Sequence, residues 1–372
     1  GLQICEHLPR LAQCADRFTI VRSMSHEETS HPQATHRVLT GAIFPPERNA
    51  DPVAGRTDFP CYGAALQSLR PSHEGIPAGV TLPTLLWDGE HMWPGQNAGF
   101  LGAKYDPWQI RQDPNSPNFR EETLTIPKDF TLDRVASRRG LLASVNAHSA
   151  GGGRLTDRGF SGKQQVALDL LAAGSVSRAF QIERERATVR DRYGRHLMGQ
   201  SLLLARRLVE AGVSIVQVNM GPVQYWDTHV DNFGRLKDQL LPPFDAGLSA
   251  LVEDLHASGR LDETLVVVAG EFGRTPKIST MPGQTRPGRD HWSSVFTALF
   301  AGPGIAGGRG LGQSDEIGAF PKSRAYSLYD LGATIYAALG LSPDTEIRDQ
   351  FGRPVPLSRG KVMTDLYTGS DD

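Results

Sequence analysis

The stretch "TLVVVAG" at residues 264–270 stands directly before Glu271, and this pattern decides the fold class. A short apolar run without alternating polar side chains predicts a strand buried on both faces, as in a parallel sheet. "VSIVQVNM" at 213–220 predicts a second strand, and the apolar positions from 236 to 255, closed by Gly259, predict a long helix between the two. Strands and helices that alternate in this way are typical of βαβ units. We therefore predict an α/β protein in which a mainly parallel sheet contains both strands and carries helices on both faces.

The length of the chain, 372 residues with 39% hydrophobic side chains, suits one large α/β domain or two smaller ones. Residues 17–23 predict another short buried strand, and 162–212 predict helices. Between about 44 and 160 the sequence is rich in proline, glycine and aromatic residues and has few periodic segments. We predict a single domain over residues 1–372 that carries a long, irregular insertion at about 44–160.

Charge and composition exclude several classes of partner. A net charge of −2 without a strongly basic block argues against a nucleic-acid partner. No apolar run reaches the roughly 18 residues of a membrane-spanning helix, so no membrane span is predicted. Cys5, Cys14 and Cys61 form neither an even disulfide framework nor a CxxC zinc motif. The oligomeric state cannot be read from the sequence.

The segment "SHEETSHPQATHRVLTG" at 25–41 is rich in histidine and glutamate, but it is not a zinc-protease motif. That motif needs two histidines four residues apart, whereas His26 and His31 are five apart, about 140° round a helix. Proline belongs in the first turn of a helix, so the sequence predicts a helix over 32–40 with Gly41 as its C-terminal cap. His31 then lies at the helix N-terminus, where the dipole favours anions and keeps an imidazole neutral. The segment is either an ordinary charged loop or the front of a different metal site.

Acidic and histidine side chains follow three of the predicted strands, and a fourth cluster precedes another strand. In open parallel sheets, ligands bind beyond the carboxyl ends of the strands. Carboxylate and imidazole groups together suit Zn²⁺, with Ca²⁺ or Mn²⁺ as alternatives. Each residue alone could be a helix cap or a loop hydrogen-bonding residue, but four converging clusters favour a metal site. The candidates are His26, His31, Asp227, His229, Glu271, Asp290 and His291.

Two further features have alternative interpretations. Arg274 either binds an anionic substrate group through paired N–H donors or forms a structural salt bridge. The aromatic-rich segment 85–108 either lines a substrate cleft or packs as a long loop. His36 lies about 140° round the helix from His31, so we expect it to face elsewhere and to be structural.

Four segments resemble the alkaline phosphatase and sulfatase superfamily. "VVVAGEFGRTP" is similar to its strand followed by Asp-His-Gly, with Glu271 at the Asp position and Phe272 at the His position. "DHWSSVFTALFAGPGI" is similar to its late histidine, which implies that His291 is a metal ligand. "YWDTH" resembles its middle Asp/His motif, with the histidine two residues after the aspartate instead of four. "HPQATHRVLTG" resembles the helix that begins at the catalytic nucleophile, which places His31 at that position.

A more specific resemblance is to the Domain of Unknown Function 1501 family. "RSMSH", "HPQATHRVLTG", "PGQNAGFLGAKYDP", "WDTHVDNF", "GEFGRTPKI" and "GRDHW" are similar to it along nearly the whole chain. The resemblance implies an alkaline phosphatase-like fold and an exported protein, periplasmic or secreted. It also implies an earlier strand that ends in a metal-binding aspartate. Because this sequence contains neither that strand nor its aspartate, we expect the N-terminal part of the protein to be missing.

These observations predict an exported, metal-dependent hydrolase that acts on a phosphate, sulfate or related anionic ester of a small molecule or glycan. The resemblance implies Asp227, His229, Glu271 and His291 as metal ligands, with Asp290 and His26 in reserve. His31 would be a ligand or a covalent nucleophile, and Arg274 would hold the anion. No serine, threonine or cysteine occupies the nucleophile position. The alternative is therefore a non-catalytic metal- or glycan-binding protein on the same scaffold.

Overall fold

The computed structural model describes residues 2–50, 52–70, 76–119 and 174–368, together with helix positions 137, 140, 141 and 144. The remainder of the predicted insertion and the start of the predicted helices, up to residue 173, lie outside the described residues. Among the described residues, no helix is both long and apolar enough to cross a membrane.

Helices occupy both the N-terminal and the C-terminal parts of the described chain. A π-helical turn at Leu236–Leu240 joins the helices Asn232–Arg235 and Leu241–Ala257, so the long helix predicted before residue 259 is confirmed. The α-helices are α1 (Pro9–Gln13), α2 (His31–Thr40), α3 (Tyr62–Leu69), α4 (Gly174–Ala179), α5 (Ala187–Tyr193), α6 (Leu197–Glu210), α7 (Asn232–Arg235), α8 (Leu241–Ala257), α9 (Leu328–Ala338) and α10 (Asp365–Thr368).

The strands form two larger sheets and several two-stranded ribbons. They are β1 (Thr19–Met24), β2 (Gly79–Leu82), β3 (Trp87–Asp88), β4 (His91–Met92), β5 (Trp108–Gln109), β6 (Ile215–Val218), β7 (Val266–Ala269), β8 (Gly273–Arg274), β9 (His291–Trp292), β10 (Phe296–Ala301), β11 (Arg309–Leu311), β12 (Glu346–Arg348) and β13 (Pro354–Pro356). One sheet has the order β11-β1-β10-β7, and β10 runs antiparallel to both of its neighbours. The other has the order β5-β2-β6, with all strands parallel.

The prediction that strands 213–220 and 264–270 share one mainly parallel sheet is wrong, although the α/β class is confirmed. β6 belongs to the parallel sheet, whereas β7 belongs to the mixed one. An apolar run specifies burial on both faces of a strand, but it does not specify the neighbour with which the strand pairs. Because the chain turns back through residues 275–290, β10 returns antiparallel beside β7. The segment predicted as an insertion contributes β2, the central strand of the parallel sheet.

The strands β6 and β7 each lie at an edge of their sheet within the described part of the chain. Every residue of β6 and β7 is half-buried, whichever face its side chain occupies. Successive side chains of a strand point to opposite faces, so exposure on one face would alternate along the strand. Exposure of every residue therefore indicates that the strand is open at its edge. Val216 and Val268 nevertheless pack against the same core, formed largely by α6 and α8.

A buried carboxylate fixes the first helix to the core. Asp245 of α8 is 4% exposed, and its two oxygens accept the backbone N–H groups of Arg10 at 3.0 Å and Leu11 at 2.8 Å. The first N–H groups of a helix have no partner within the helix, so this side chain from a distant element caps α1. α1 is thereby held against the helix layer that covers the sheets.

The predicted helix over 32–40 is confirmed as α2. Pro32 lies in its first turn, where the missing N–H costs no helical hydrogen bond. Gly41 ends the helix with φ of 68°, in the left-handed region that glycine tolerates best, and its N–H bonds to the carbonyl oxygen of Arg37. α2 starts at His31, so the histidine is held at the N-terminal end of a rigid element.

His36 is fully buried on the other side of α2, as expected for a structural residue. Its Nδ1 lies 3.2 Å from the carbonyl oxygen of Ala42, and its Nε2 accepts the N–H of Phe59. This pair of partners requires the neutral ring with a proton on Nδ1. Burial, opposed only by the bond to Ala42, lowers the pKa of His36 from 6.5 to about 3.

His36 should make the protein less stable in mild acid. Because its pKa is depressed in the folded state, its contribution is fully present above about pH 6.5 and is lost as the pH falls towards 3. We expect wild type to lose about 2 kcal/mol more unfolding free energy than His36→Gln between pH 7 and pH 5. Urea titrations at both pH values measure this difference. The exposed control His256→Gln should behave as wild type, and equal pH slopes for wild type and His36→Gln would contradict the prediction.

Candidate metal centre

The ends of three strands and the start of a fourth meet at one edge of the fold. His31 follows β1, Asp227 and His229 follow β6, and Glu271 follows β7. His291 lies in β9, just before β10. Because β10 is antiparallel to β1 and β7, its beginning lies at the edge where those two strands end. The antiparallel pairing therefore brings the last histidine to the cluster.

The carboxylate of Asp227 stands at the centre of three imidazole rings. Its Oδ2 is 3.1 Å from Nε2 of His31. Its Oδ1 is 3.1 Å from Nε2 of His229 and 3.2 Å from Nε2 of His291. These two Nε2 atoms are 3.0 Å from each other. All three rings thus present the same nitrogen to one carboxylate.

The other nitrogen of each ring, Nδ1, contacts an oxygen outside the centre. An acceptor at Nδ1 favours the tautomer that carries its proton there and directs the Nε2 lone pair inward. Metal-binding histidines are commonly oriented by such a second partner. The partners are Oε1 of Glu271 for His31 at 2.7 Å, Oδ1 of Asp290 for His229 at 2.8 Å, and the carbonyl oxygen of Thr29 for His291 at 2.8 Å.

This geometry fits a bound cation. With their protons on Nδ1, His229 and His291 turn two lone pairs towards each other across 3.0 Å, which is repulsive unless a proton or a cation lies between them. The distances from the Asp227 carboxylate oxygens to the three Nε2 atoms, and between Nε2 of His229 and of His291, are 3.0–3.2 Å. Tetrahedral zinc with bonds of about 2.0–2.1 Å places its ligands roughly 3.3 Å apart. His31, Asp227 and His291 therefore form a group that is able to hold a metal ion.

Electrostatic coupling between neighbouring side chains shifts the pKa values of groups in this centre. Burial alone would raise the pKa of Asp227, but its contacts with His291 and His31 and the charge of Arg274 hold it well below its ordinary value. Burial alone would lower the pKa of His31, but its bonds to Asp227 and Glu271 raise it to about 9. Two neighbouring carboxylates therefore raise the pKa of His31 against the effect expected of the helix dipole, and a neutral imidazole at this position stays a prediction.

Arg274 forms a structural salt bridge, which is one of the two roles predicted for it. One guanidinium nitrogen, Nη2, lies 2.6 Å from Oδ1 of Asp227 and donates to the carbonyl oxygen of Trp226 at 3.0 Å. The other terminal nitrogen, Nη1, donates to the carbonyl oxygen of Arg289. The guanidinium thus braces the loop that carries Asp227, and its predicted contact with a substrate anion stays a prediction.

His26 contacts the cluster only through backbone groups. Its Nε2 lies 2.6 Å from the carbonyl oxygen of Glu271, and its Nδ1 accepts the N–H of Glu28. Burial lowers the pKa of His26, so the ring is neutral with its proton on Nε2. Both nitrogens are thus engaged with backbone groups, and Nε2 is the one that supports Glu271.

Two aromatic rings pack against His31, and no pattern in the sequence predicted these contacts. Trp93, 7% exposed, stacks on the imidazole at 5.4 Å between centroids, and Phe272 contacts it at 4.9 Å. Within the aromatic-rich segment 85–108, Trp93 is thus a packing residue, whereas Trp87 is 42% exposed. The carbonyl oxygen of Thr29 is another partner that no side-chain pattern could reveal, because every residue type has a carbonyl.

Fold and site together define an α/β protein with a histidine–carboxylate cluster at the strand ends. The chain belongs to the family described as "Protein of unknown function (DUF1501)", whose sequence model matches residues 1–367. The predicted family membership is thereby confirmed. No curated protein matches the chain. Among solved structures, it is similar to one titled "Crystal structure of Ps i-CgsB", with 13% identity and a TM-score of 0.40, over 90% of this chain and 67% of that chain.

Proposed function

We propose that the protein binds a zinc ion through Nε2 of His31, His229 and His291 and one carboxylate oxygen of Asp227. The observation that carries this proposal is the convergence of three Nε2 atoms on one carboxylate, each with an acceptor at Nδ1. Three nitrogen ligands and one oxygen are a typical zinc set. Calcium takes six to eight oxygen ligands, and manganese prefers sites richer in oxygen.

Glu271 and Asp290 have a different role in this proposal from the one predicted from the sequence. Each contacts the Nδ1 atom of a histidine, at 2.7 Å and 2.8 Å respectively. We propose that these carboxylates orient the ligands and increase their basicity, instead of binding the ion. His26 supports Glu271 through its backbone carbonyl oxygen.

We propose that the centre serves the hydrolysis of an anionic ester, such as a phosphate or sulfate ester, in an exported protein with an alkaline phosphatase-like fold. Bound zinc would supply Lewis-acid polarisation and lower the pKa of water. His229 and His291 keep 28% and 21% of their side chains exposed, so a small substrate is able to reach this side of the centre. Both nitrogens of His31 face carboxylates, which favours a ligand role over that of a covalent nucleophile.

A second candidate function follows from the number of ligands. Four protein side chains complete a tetrahedral set, as in structural zinc sites, whereas catalytic sites usually keep one position for water. A non-catalytic, metal-binding protein on this scaffold would therefore hold the ion without turnover. The two candidates differ in activity and not in metal content.

The test compares two histidines of the same helix. Wild type purified without chelators should contain about one zinc ion per chain by plasma mass spectrometry. His31→Gln should lose most of this metal, whereas His36→Gln, on the opposite side of α2, should retain it while it remains folded. Turnover of 4-nitrophenyl phosphate and 4-nitrophenyl sulfate by wild type would support the hydrolase. Metal without turnover would support the binding protein, and equal metal loss in both variants would contradict the proposed centre.

A further inference from the structure

A cavity of about 500 Å³ lies beside the metal centre, a size within the usual range of small-molecule sites. Its wall includes Ser25 and Thr29 from the segment after β1. Trp292, Ser293 and Ser294 follow His291 on the other side. We call this cavity the Trp292 pocket. Neighbouring residues of a strand point to opposite sides, so Trp292 faces away from the side to which His291 is directed.

Four hydroxyl groups in the wall of the Trp292 pocket make no hydrogen bond within the described fold, and one of their residues, Ser293, is only 4% exposed. They belong to Ser25, Thr29, Ser293 and Ser294. Within the part of the chain that the structure describes, none of these side-chain hydroxyls makes a hydrogen bond. None of their oxygen atoms is among the fully buried polar atoms without a partner. Each is able to donate one hydrogen bond and accept two. The pocket therefore offers a set of neutral donors and acceptors that the fold itself does not use.

Two aromatic rings form an apolar corner of the same pocket. The rings of Trp292 and Phe320 meet at 66° with centroids 5.7 Å apart. The indole N–H of Trp292 donates to the carbonyl oxygen of Ala319 at 2.6 Å, which fixes the ring orientation. Phe320 is 53% exposed, so part of its ring is accessible to a ligand.

The charge of the pocket distinguishes it from the metal centre. The wall includes the carboxylate of Glu27 and no lysine or arginine. Glu27 is 93% exposed and lies 3.5 Å from Arg37, which is not part of the wall. The wall therefore offers an anion no positively charged partner. Because the Glu27 side chain lies in solvent beside Arg37, it also adds little attraction for a cation, so the pocket suits a ligand without charge.

We infer that the Trp292 pocket binds a neutral saccharide ring. Such a ring combines an apolar C–H face, which packs on aromatic side chains, with a rim of hydroxyl groups that pair with hydroxyls of the protein. The pocket offers both an aromatic surface and hydroxyl groups, and it lies next to a centre proposed to bind an anion. This inference goes beyond the proposed function and holds whether or not the metal centre is catalytic.

The test uses chelator-treated full-length chain, so that it does not depend on the metal. Methyl glycosides of glucose, galactose and mannose are titrated while the indole ¹H–¹⁵N signal of Trp292, assigned with Trp292→Phe, is followed. At least one glycoside should shift this signal with a Kd of about 1–10 mM. Phe320→Ala should weaken that binding at least fivefold, because it removes one side of the aromatic corner. Phe351→Ala removes another exposed phenylalanine, outside the pocket, and should change nothing.

Three results would overturn the inference. The first is that no glycoside moves the Trp292 signal. The second is that Phe320→Ala binds the best glycoside as wild type does. The third is that p-cresol, an apolar probe, binds more tightly than every glycoside, which would assign the pocket to an apolar ligand. Failure here leaves the zinc measurements untouched, so the two proposals are tested separately.

Discussion

Asp227→Asn is expected to lower zinc affinity by more than about 100-fold, because it removes the charge on which three imidazole rings converge. Loss of a residue that only hydrogen-bonds to a metal ligand costs up to roughly 100-fold. The amide keeps the size of the side chain but turns N–H groups towards Nε2 lone pairs or towards the guanidinium of Arg274. It also leaves Arg274 without its ion-pair partner at 2.6 Å. We therefore expect a loss of about 1–3 kcal/mol in unfolding free energy as well. Competition with a chromophoric chelator measures the affinity, and urea titration measures the stability.

Asp231→Asn is the matched control for this variant. Asp231 is four residues away, its backbone has φ of 54°, a conformation that asparagine also tolerates, and its side chain pairs with Arg286 at 2.5 Å. Its zinc affinity should equal that of wild type. If Asp227→Asn binds zinc as tightly as Asp231→Asn does, the carboxylate is not part of a metal centre.

Gly288→Ala is expected to disrupt the same centre without altering any side chain in it. A Cβ atom at Gly288 would lie 1.8 Å from the carbonyl oxygen and 2.1 Å from the carbonyl carbon of His229. The two backbone segments are packed directly on each other, so the added methyl group must force them apart. Because His229 and His291 lie on the two segments, their 3.0 Å approach is lost. We expect a loss of about 1–3 kcal/mol in stability and about 100-fold in zinc affinity.

Gly283→Ala, in the same loop, separates this effect from general damage. A Cβ atom there would meet no atom within 4 Å, but φ is 80°, so the variant should lose about 1 kcal/mol through backbone strain. Its zinc affinity should be that of wild type. Chelator competition and urea titration of both variants provide the comparison, and normal zinc binding by Gly288→Ala would show that the centre does not depend on this contact.

Local patterns in the sequence predicted the features that local physics determines. α2 and its Gly41 cap follow from proline and glycine preferences, and the long helix before residue 259 follows from its apolar period. The valine-rich run predicted the strand β7, but its residues are half-buried because β7 lies at the edge of its sheet. The same reasoning placed Asp227 and Glu271 after strands.

Long-range contacts decided the rest. Strand pairing depends on which edges meet in space, so the sequence could not show that β6 and β7 belong to different sheets or that β10 is antiparallel. The candidate residues could be found from the sequence, but their roles could not, because each role depends on which atom faces the centre. The fold turns Nε2 of three histidines towards Asp227 and places Glu271 behind His31. The sequence thus determined which residues could bind a metal, because that depends on residue type. Tertiary packing determined their roles, because these depend on the direction in which each side chain points and on the distances between atoms.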